Sequence, residues 1–95
     1  MVVFQSIISP AQNLTQIVRG SITDKISEAP LAGASVSVDG TSLAAITQAY
    51  GAFVLRVSIG RIKINISFIG YQTASITEVL VTTGKEVVLD TYATK

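Results

Sequence analysis

The chain of 95 residues has no cysteine, no histidine and no tryptophan, and only 14% of it is charged. Without cysteine there is neither a disulfide nor a thiolate metal site. Without histidine the usual general base near neutral pH, the Ser-His-Asp arrangement and the commonest metal ligand are all missing. A zinc site would lack both of its customary ligand types. The 7 basic and 6 acidic residues leave a net charge of +1 and are scattered along the chain. They form no basic patch of the kind that neutralises phosphates, which argues against a nucleic-acid partner. No apolar run approaches the ~18–20 residues needed to cross a bilayer. The 48% apolar content therefore points to strands and not to a membrane span. A cysteine-free domain suits both a cytoplasm and a bacterial envelope. It argues weakly against a small secreted eukaryotic domain, where disulfides usually supplement a small core.

The six carboxylates, Asp24, Glu28, Asp39, Glu78, Glu86 and Asp90, fall in expected turns or on wet strand faces. Paired carboxylates can hydrolyse glycosides, but only in a concave site that raises one pKa. Here they read as solvated groups that limit edge pairing. Asp24, Glu28 and Asp39 could in principle offer oxygens to calcium, yet no Asp-x-Asp-x-Asp-Gly loop is present. The sequence offers no cofactor or metal site and no catalytic constellation.

What is present is alternation. Ile62, Ile64, Ile66 and Phe68 interleave with Arg61, Lys63, Asn65 and Ser67. A period of two sends one set to each face of an extended strand, one dry and one wet. This indicates an antiparallel β protein of one domain, with a core that is possible but small. Gly20, Gly33, Gly40, Gly51, Gly60, Gly70 and Gly84 fall at intervals of 7 to 14 residues. With β-branched runs between them, such spacing indicates a sandwich or barrel of short strands.

Strands are expected at Ile17–Thr23, with Val18 and Ile22 on one face, and at Ala34–Val38, with Ala34, Val36 and Val38 inward. Leu43–Thr47 is a short third, and Ala52–Ser58 a fourth with Phe53, Leu55 and Val57 inward. Arg61–Ile69 is the centre of one sheet. Gln72–Thr77 is weaker, with Ala74 and Ile76 as its apolar set, and Glu78–Thr82 either extends it or stands apart. Lys85–Asp90 closes the domain with Val87 and Leu89 inward, and Tyr92–Lys95 reads as the start of a linker. Few charges guard the Ser- and Thr-rich faces, so an uncovered edge could accept another strand.

Residues 1–16 read as a leader, either flexible or the remnant of a signal peptide. Val2, Val3, Phe4, Ile7 and Ile8 precede Ser9-Pro10-Ala11-Gln12, but no basic segment comes before them. Asn13-Leu14-Thr15 and Asn65-Ile66-Ser67 match the N-glycosylation pattern, and both are expected to be incidental. For recognition the candidates are Tyr50, Gln48 and Tyr71. Tyr50 sits in a turn and is expected to be exposed. Tyr71 follows a strand bend, where packing with its hydroxyl tied to backbone competes with a binding role.

Several pieces follow one another in a specific order. They are Val18-Arg19-Gly20-Ser21-Ile22-Thr23-Asp24, Ala29-Pro30-Leu31-Ala32-Gly33-Ala34-Ser35-Val36-Ser37-Val38, Gly40-Thr41-Ser42, Ile46-Thr47, Gly51-Ala52-Phe53-Val54-Leu55 and Ser67-Phe68-Ile69-Gly70-Tyr71. In order and spacing they resemble the carboxypeptidase-regulatory-like domain of bacterial envelope proteins, and the resemblance continues through Lys85–Asp90. It implies residues 17–91 as a seven-stranded, antiparallel Greek-key β-sandwich, transthyretin-like (prealbumin-like). It also implies a non-catalytic module. In Bacteroidetes such domains commonly form the N-terminal extension of TonB-dependent outer-membrane receptors or of surface proteins, with residues 92–95 then the start of a linker to a following region. The chain departs from the family's Thr-Asp-x-Asp-Gly turn, which here is Thr47-Gln48-Ala49-Tyr50-Gly51. Both acidic positions are replaced, while Gly51 and Phe53 are kept.

The expected role is docking of a protein partner or spacing of neighbouring domains in one polypeptide, by surface recognition or strand addition. A carbohydrate-binding module is the alternative, with a glycan as partner, but it needs two or more coplanar exposed aromatics. An enzyme and a domain that self-associates through its edge strands are the remaining readings.

Overall fold

The computed structural model describes residues 14–95. Most of the expected leader, and Asn13 of the first glycosylation match, lie outside the described residues. Seven strands follow in order: β1 (Thr15–Asp24), β2 (Ser35–Val38), β3 (Ala44–Ile46), β4 (Ala52–Ser58), β5 (Gly60–Ser67), β6 (Ala74–Val81) and β7 (Val87–Ala93). They form two sheets, β4-β1-β7 and β3-β2-β5-β6, stacked as a sandwich.

The alternation places the core as expected. Val18 and Ile22 of β1, Val36 and Val38 of β2, Phe53, Leu55 and Val57 of β4, and Ile64 and Ile66 of β5 are all buried. They meet in one cluster with Leu31, Val79, Val81 and Ala93. Fully burying such side chains contributes about 1.5–3 kcal/mol each relative to exposure. Ile62, Phe68, Ile76, Val87 and Leu89 are only partly buried and pack at the rim of this cluster.

Two expectations need correction, and one that was open is decided. First, the sheets are not wholly antiparallel: β7 pairs with β1 in parallel, from Val18↔Val87 to Asp24↔Ala93. Alternation reports which face a residue takes, not the direction of the neighbouring strand. β6 lies in one sheet and β7 crosses to the other, arriving in the same direction as β1. Second, Glu78–Val81 is continuous with β6. The register moves from Ile62↔Val79 to Ile64↔Ile76, so β6 holds an extra residue there. That bulge carries Glu78 at φ 58 and switches the inward set from Ala74 and Ile76 to Val79 and Val81. The parity change is why the sequence pattern fits either one strand or two. Third, β7 runs on through Tyr92 to Ala93, whose side chain is buried, so the linker reading of 92–95 yields its first two residues to the sheet.

Strand directions place the ends of the sandwich. The 25–34, 47–51 and 68–73 connections and the last residues of the chain gather at one end. Backbone bonds tie them: Leu31 N–H donates to Ile22 C=O at 3.0 Å, Gly33 N–H to Thr47 C=O at 2.9 Å and Gln72 N–H to Thr94 C=O at 2.7 Å.

Two glycines permit this assembly. A Cβ on Gly20 would lie 1.8 Å from the Leu89 carbonyl oxygen, so only hydrogen lets β7 close onto β1. Gly51, at φ +72, brings its turn against β1, where a Cβ would meet the Ile22 carbonyl oxygen at 2.3 Å.

Candidate functional site: an uncharged flank

The three residues singled out for recognition all lie in connections at the same end, but they do different things. Tyr71 is half-buried and its hydroxyl donates a short hydrogen bond to Asp24 Oδ2. The expected tie to backbone is thus a tie to a side chain. Its ring packs against Phe68 with centroids 5.5 Å apart, and Lys95 Nζ stands 5.8 Å from its centre. The other oxygen of Asp24 accepts from Ile26 N–H at 2.8 Å and Ser27 N–H at 2.9 Å. The Tyr71 hydroxyl first, and those two amides next, hold the Asp24 carboxyl down at about 2 from its ordinary 3.8. Asp24 in turn pushes the Tyr71 phenol up. With both partners engaged, this pair braces two loops together.

The neighbouring clamp is Thr47. Its buried hydroxyl accepts from Ala34 N–H at 2.8 Å and donates to Leu31 C=O. It closes the loop before β2 onto the end of β3.

Tyr50 is different. It is 84% exposed and sits at φ 67, in the left-handed region that disfavours a bulky side chain by about 1–2 kcal/mol. It occupies a single 3-10 turn, Ala49–Gly51, between β3 and β4. Gln48 is also exposed, and its N–H donates to Ala52 C=O at 2.8 Å.

That turn belongs to a wider surface. β3 and β4 are edge strands of opposite sheets, and the turn joins them along one flank of the sandwich. Between them runs a groove of about 370 Å³ lined by Ala45, Ile46, Gln48, Ala52, Phe53 and Val54. Ile46 is 54% and Val54 60% exposed. The 16 residues from Gly40 to Leu55 carry no charge, the longest such stretch between two charged residues of the chain. Edge strands are normally blunted by shortness, charge, proline or a bulge, and from β3 through Leu55 this flank shows only the first, β3 being 3 residues long. Sequence reasoning found Gln48 and Tyr50 but missed Ile46 and Val54. The signal that could have found them was the charge-free interval itself.

The chemistry of other clusters is limited. Among the described residues no group of three or more His, Cys, Asp or Glu could hold a metal ion. Asp39 accepts from Asn65 Nδ2 at 3.1 Å in the turn after β2, at the opposite end from Asp24, so the acidic loop residues do not converge. Asn65 also accepts from Ser75 Oγ at 2.8 Å; its amide is spent within the sheet, as suits an incidental glycosylation match. Tyr92 lies beneath Lys25 Nζ, 5.5 Å from its ring centre. No helix among the described residues is long and apolar enough to cross a membrane.

Two stacked sheets with a groove along one flank define a small β-sandwich domain. The chain belongs to the carboxypeptidase regulatory-like domain family, whose model matches residues 17–94. No curated protein matches it. Among solved structures it resembles chains from two type II cohesin–X–dockerin complexes of Acetivibrio cellulolyticus. For the C-terminal interface mutant of that complex the TM-score is 0.69 at 30% identity, over 80% of this chain and 52% of the other. For the N-terminal interface mutant it is 0.67 at 30% identity, with the same coverage. The chain therefore spans about half the length of those relatives.

Proposed function

We propose that this domain is a non-catalytic docking or spacing module of a larger bacterial cell-envelope protein, a TonB-dependent receptor or a surface protein, and that it engages its partner through the β3–β4 flank. The single observation that carries this is the coincidence of two adjacent edge strands, a groove between them and exposed Ile46, Tyr50 and Val54 on one charge-free segment. An apolar patch of this kind on a small domain is the usual mark of an interaction site. Strand addition uses the free backbone groups of such an edge for affinity and the adjoining groove for selection. The likeness to chains from cohesin–X–dockerin complexes supports a docking role. The envelope location rests on the family resemblance alone.

The carbohydrate-binding reading needs a platform of aromatic rings. Tyr71 is committed to Asp24 and Phe68, and exposed Tyr92 lies beneath Lys25, so among the described tyrosines Tyr50 alone offers an unobstructed ring.

The test is a photo-crosslinking residue placed at Val54, and in a second protein at Leu80 on the opposite flank, in cells producing the native gene product. A discrete adduct from position 54 and none from position 80 is expected. Equal adducts from both, or none from either, would remove the docking role of this flank. Recovery of the protein in the soluble cytoplasmic fraction would remove the envelope assignment.

A further inference from the structure

We propose that the β3–β4 flank, read as above as the docking surface, is closed by a second copy of this chain, with β4 of one copy paired antiparallel to β4 of the other.

Four edges are available in the sandwich, and three are handicapped. β6 contains the bulge at Thr77–Glu78, which bends it away from regular pairing. β7 is preceded by Lys85 and Glu86 and carries Asp90. β3 is only 3 residues long. β4 has 7 residues, is regular throughout, and holds one charge, Arg56. Its inward set, Phe53, Leu55 and Val57, is already buried in the core, so pairing at its edge asks nothing of the interior.

The strand is also complementary to itself. A two-fold axis at Val54 places Val54 opposite Val54 and Arg56 opposite Ala52 of the second copy. An axis at Leu55 places Val54 opposite Arg56. In either register the two Arg56 guanidiniums are not opposed, and no other charge enters from β4. A two-fold interface requires this kind of self-matching patch. The pairing would join β4-β1-β7 of each copy into one six-stranded sheet. The adjacent groove, with Ile46 and Val54 at its sides, would then be covered by the neighbouring copy.

Sedimentation velocity of the full 95-residue chain from about 1 µM to about 1 mM tests this. A concentration-dependent monomer–dimer equilibrium is expected. Val54→Lys puts a second cation on the pairing face and should weaken the dimer about tenfold or more. Val54→Thr, uncharged and β-branched, should retain it. Val88→Lys on β7 should leave it unchanged. Thermal melts establish that each variant is folded. A wild-type chain that stays monomeric throughout, or a dimer weakened as much by Val88→Lys as by Val54→Lys, overturns the proposal. If the chain is monomeric while position 54 crosslinks in cells to a different protein, self-pairing fails and the docking reading stands.

Discussion

The two flanks of this sandwich are built on the same core and end in opposite ways. On the β6–β7 side, the bulge interrupts β6, and its Glu78 pairs with Arg61 at 2.9 Å. Glu86 pairs with Arg19 at 2.9 Å, Asp90 accepts from Ser21 Oγ, and the Gln16 amide donates to the carbonyls of Thr82 and Thr83. Exposed Leu80, Val88 and Tyr92 do occur there, but always beside a charge or a bulge. On the β3–β4 side there is no bulge, β3 carries no charge, and β4 carries one, Arg56, with Val54 standing opposite Arg19 of β1. Exposed ion pairs stabilise by only about 0–1 kcal/mol. The charges of the first flank are therefore better understood as guards against unwanted pairing than as supports of the fold. Their scarcity on the second flank costs little stability and leaves it free to associate.

The sharpest way to break the comparison is to break the guarded flank. Gly20→Ala directs a methyl group into the Leu89 carbonyl at 1.8 Å, backbone against backbone, so β7 must move. A loss of about 3 kcal/mol or more, or failure to fold, is expected in urea denaturation. Val54→Lys in the same assay should cost only about 0.2–1 kcal/mol of monomer stability, from the like charge it sets opposite Arg19 on β1. Equal stability of Gly20→Ala and wild type would show that β7 is not held where the register places it.

Much of this was legible beforehand, for a physical reason. Period-two alternation is set by the need to bury one face, so Val18, Ile22, Val36, Val38, Phe53, Leu55, Val57, Ile64 and Ile66 identified themselves. β4 was bounded correctly from Ala52 to Ser58 because a turn signal stands at each end. What alternation cannot report is a neighbour. The parallel partnership of β1 and β7 joins residues more than sixty positions apart and leaves no local mark. The bulge at Glu78 did leave one, a change of parity between Ile76 and Val79, which fits a continued strand and a new one equally well. Of the candidate residues, Gln48 and Tyr50 fell on the open flank and Tyr71 did not. An aromatic after a strand bend carries no indication of whether its hydroxyl will find water or Asp24.

A smaller effect is expected where the open flank is anchored. Thr47→Val keeps the shape but removes the hydroxyl that serves Ala34 N–H and Leu31 C=O, both in a buried setting. Leaving those groups unmatched should cost about 1–3 kcal/mol in urea denaturation. Hydrogen exchange should quicken at Ala34 before it changes in β5. If the loss is spread evenly over both sheets, Thr47 is not a local clamp of this flank.

The subtlest test separates the brace from the flanks by its pH dependence. Asp24 titrates near 2 in the fold against 3.8 ordinarily, so its carboxylate contributes stability that is present above about pH 4 and lost as pH falls through about 2. Tyr71 is shifted upward, so the stability it contributes is present below its ordinary value of 10.0 and lost as pH rises through the higher folded value. Tyr71→Phe removes the largest cause of the Asp24 shift but leaves the Ser27 and Ile26 amides in place. The Asp24 carboxyl of the variant should then titrate above its wild-type value and still below the ordinary one, as followed by carboxyl carbon NMR. The stability gap between wild type and Tyr71→Phe should be widest between about pH 5 and 9 and should narrow toward both extremes. A gap that stays constant from neutral pH down to 2 would mean that the ring of Tyr71, and not its hydroxyl, makes the connection. The brace would then be a packing contact no different in kind from those of the core.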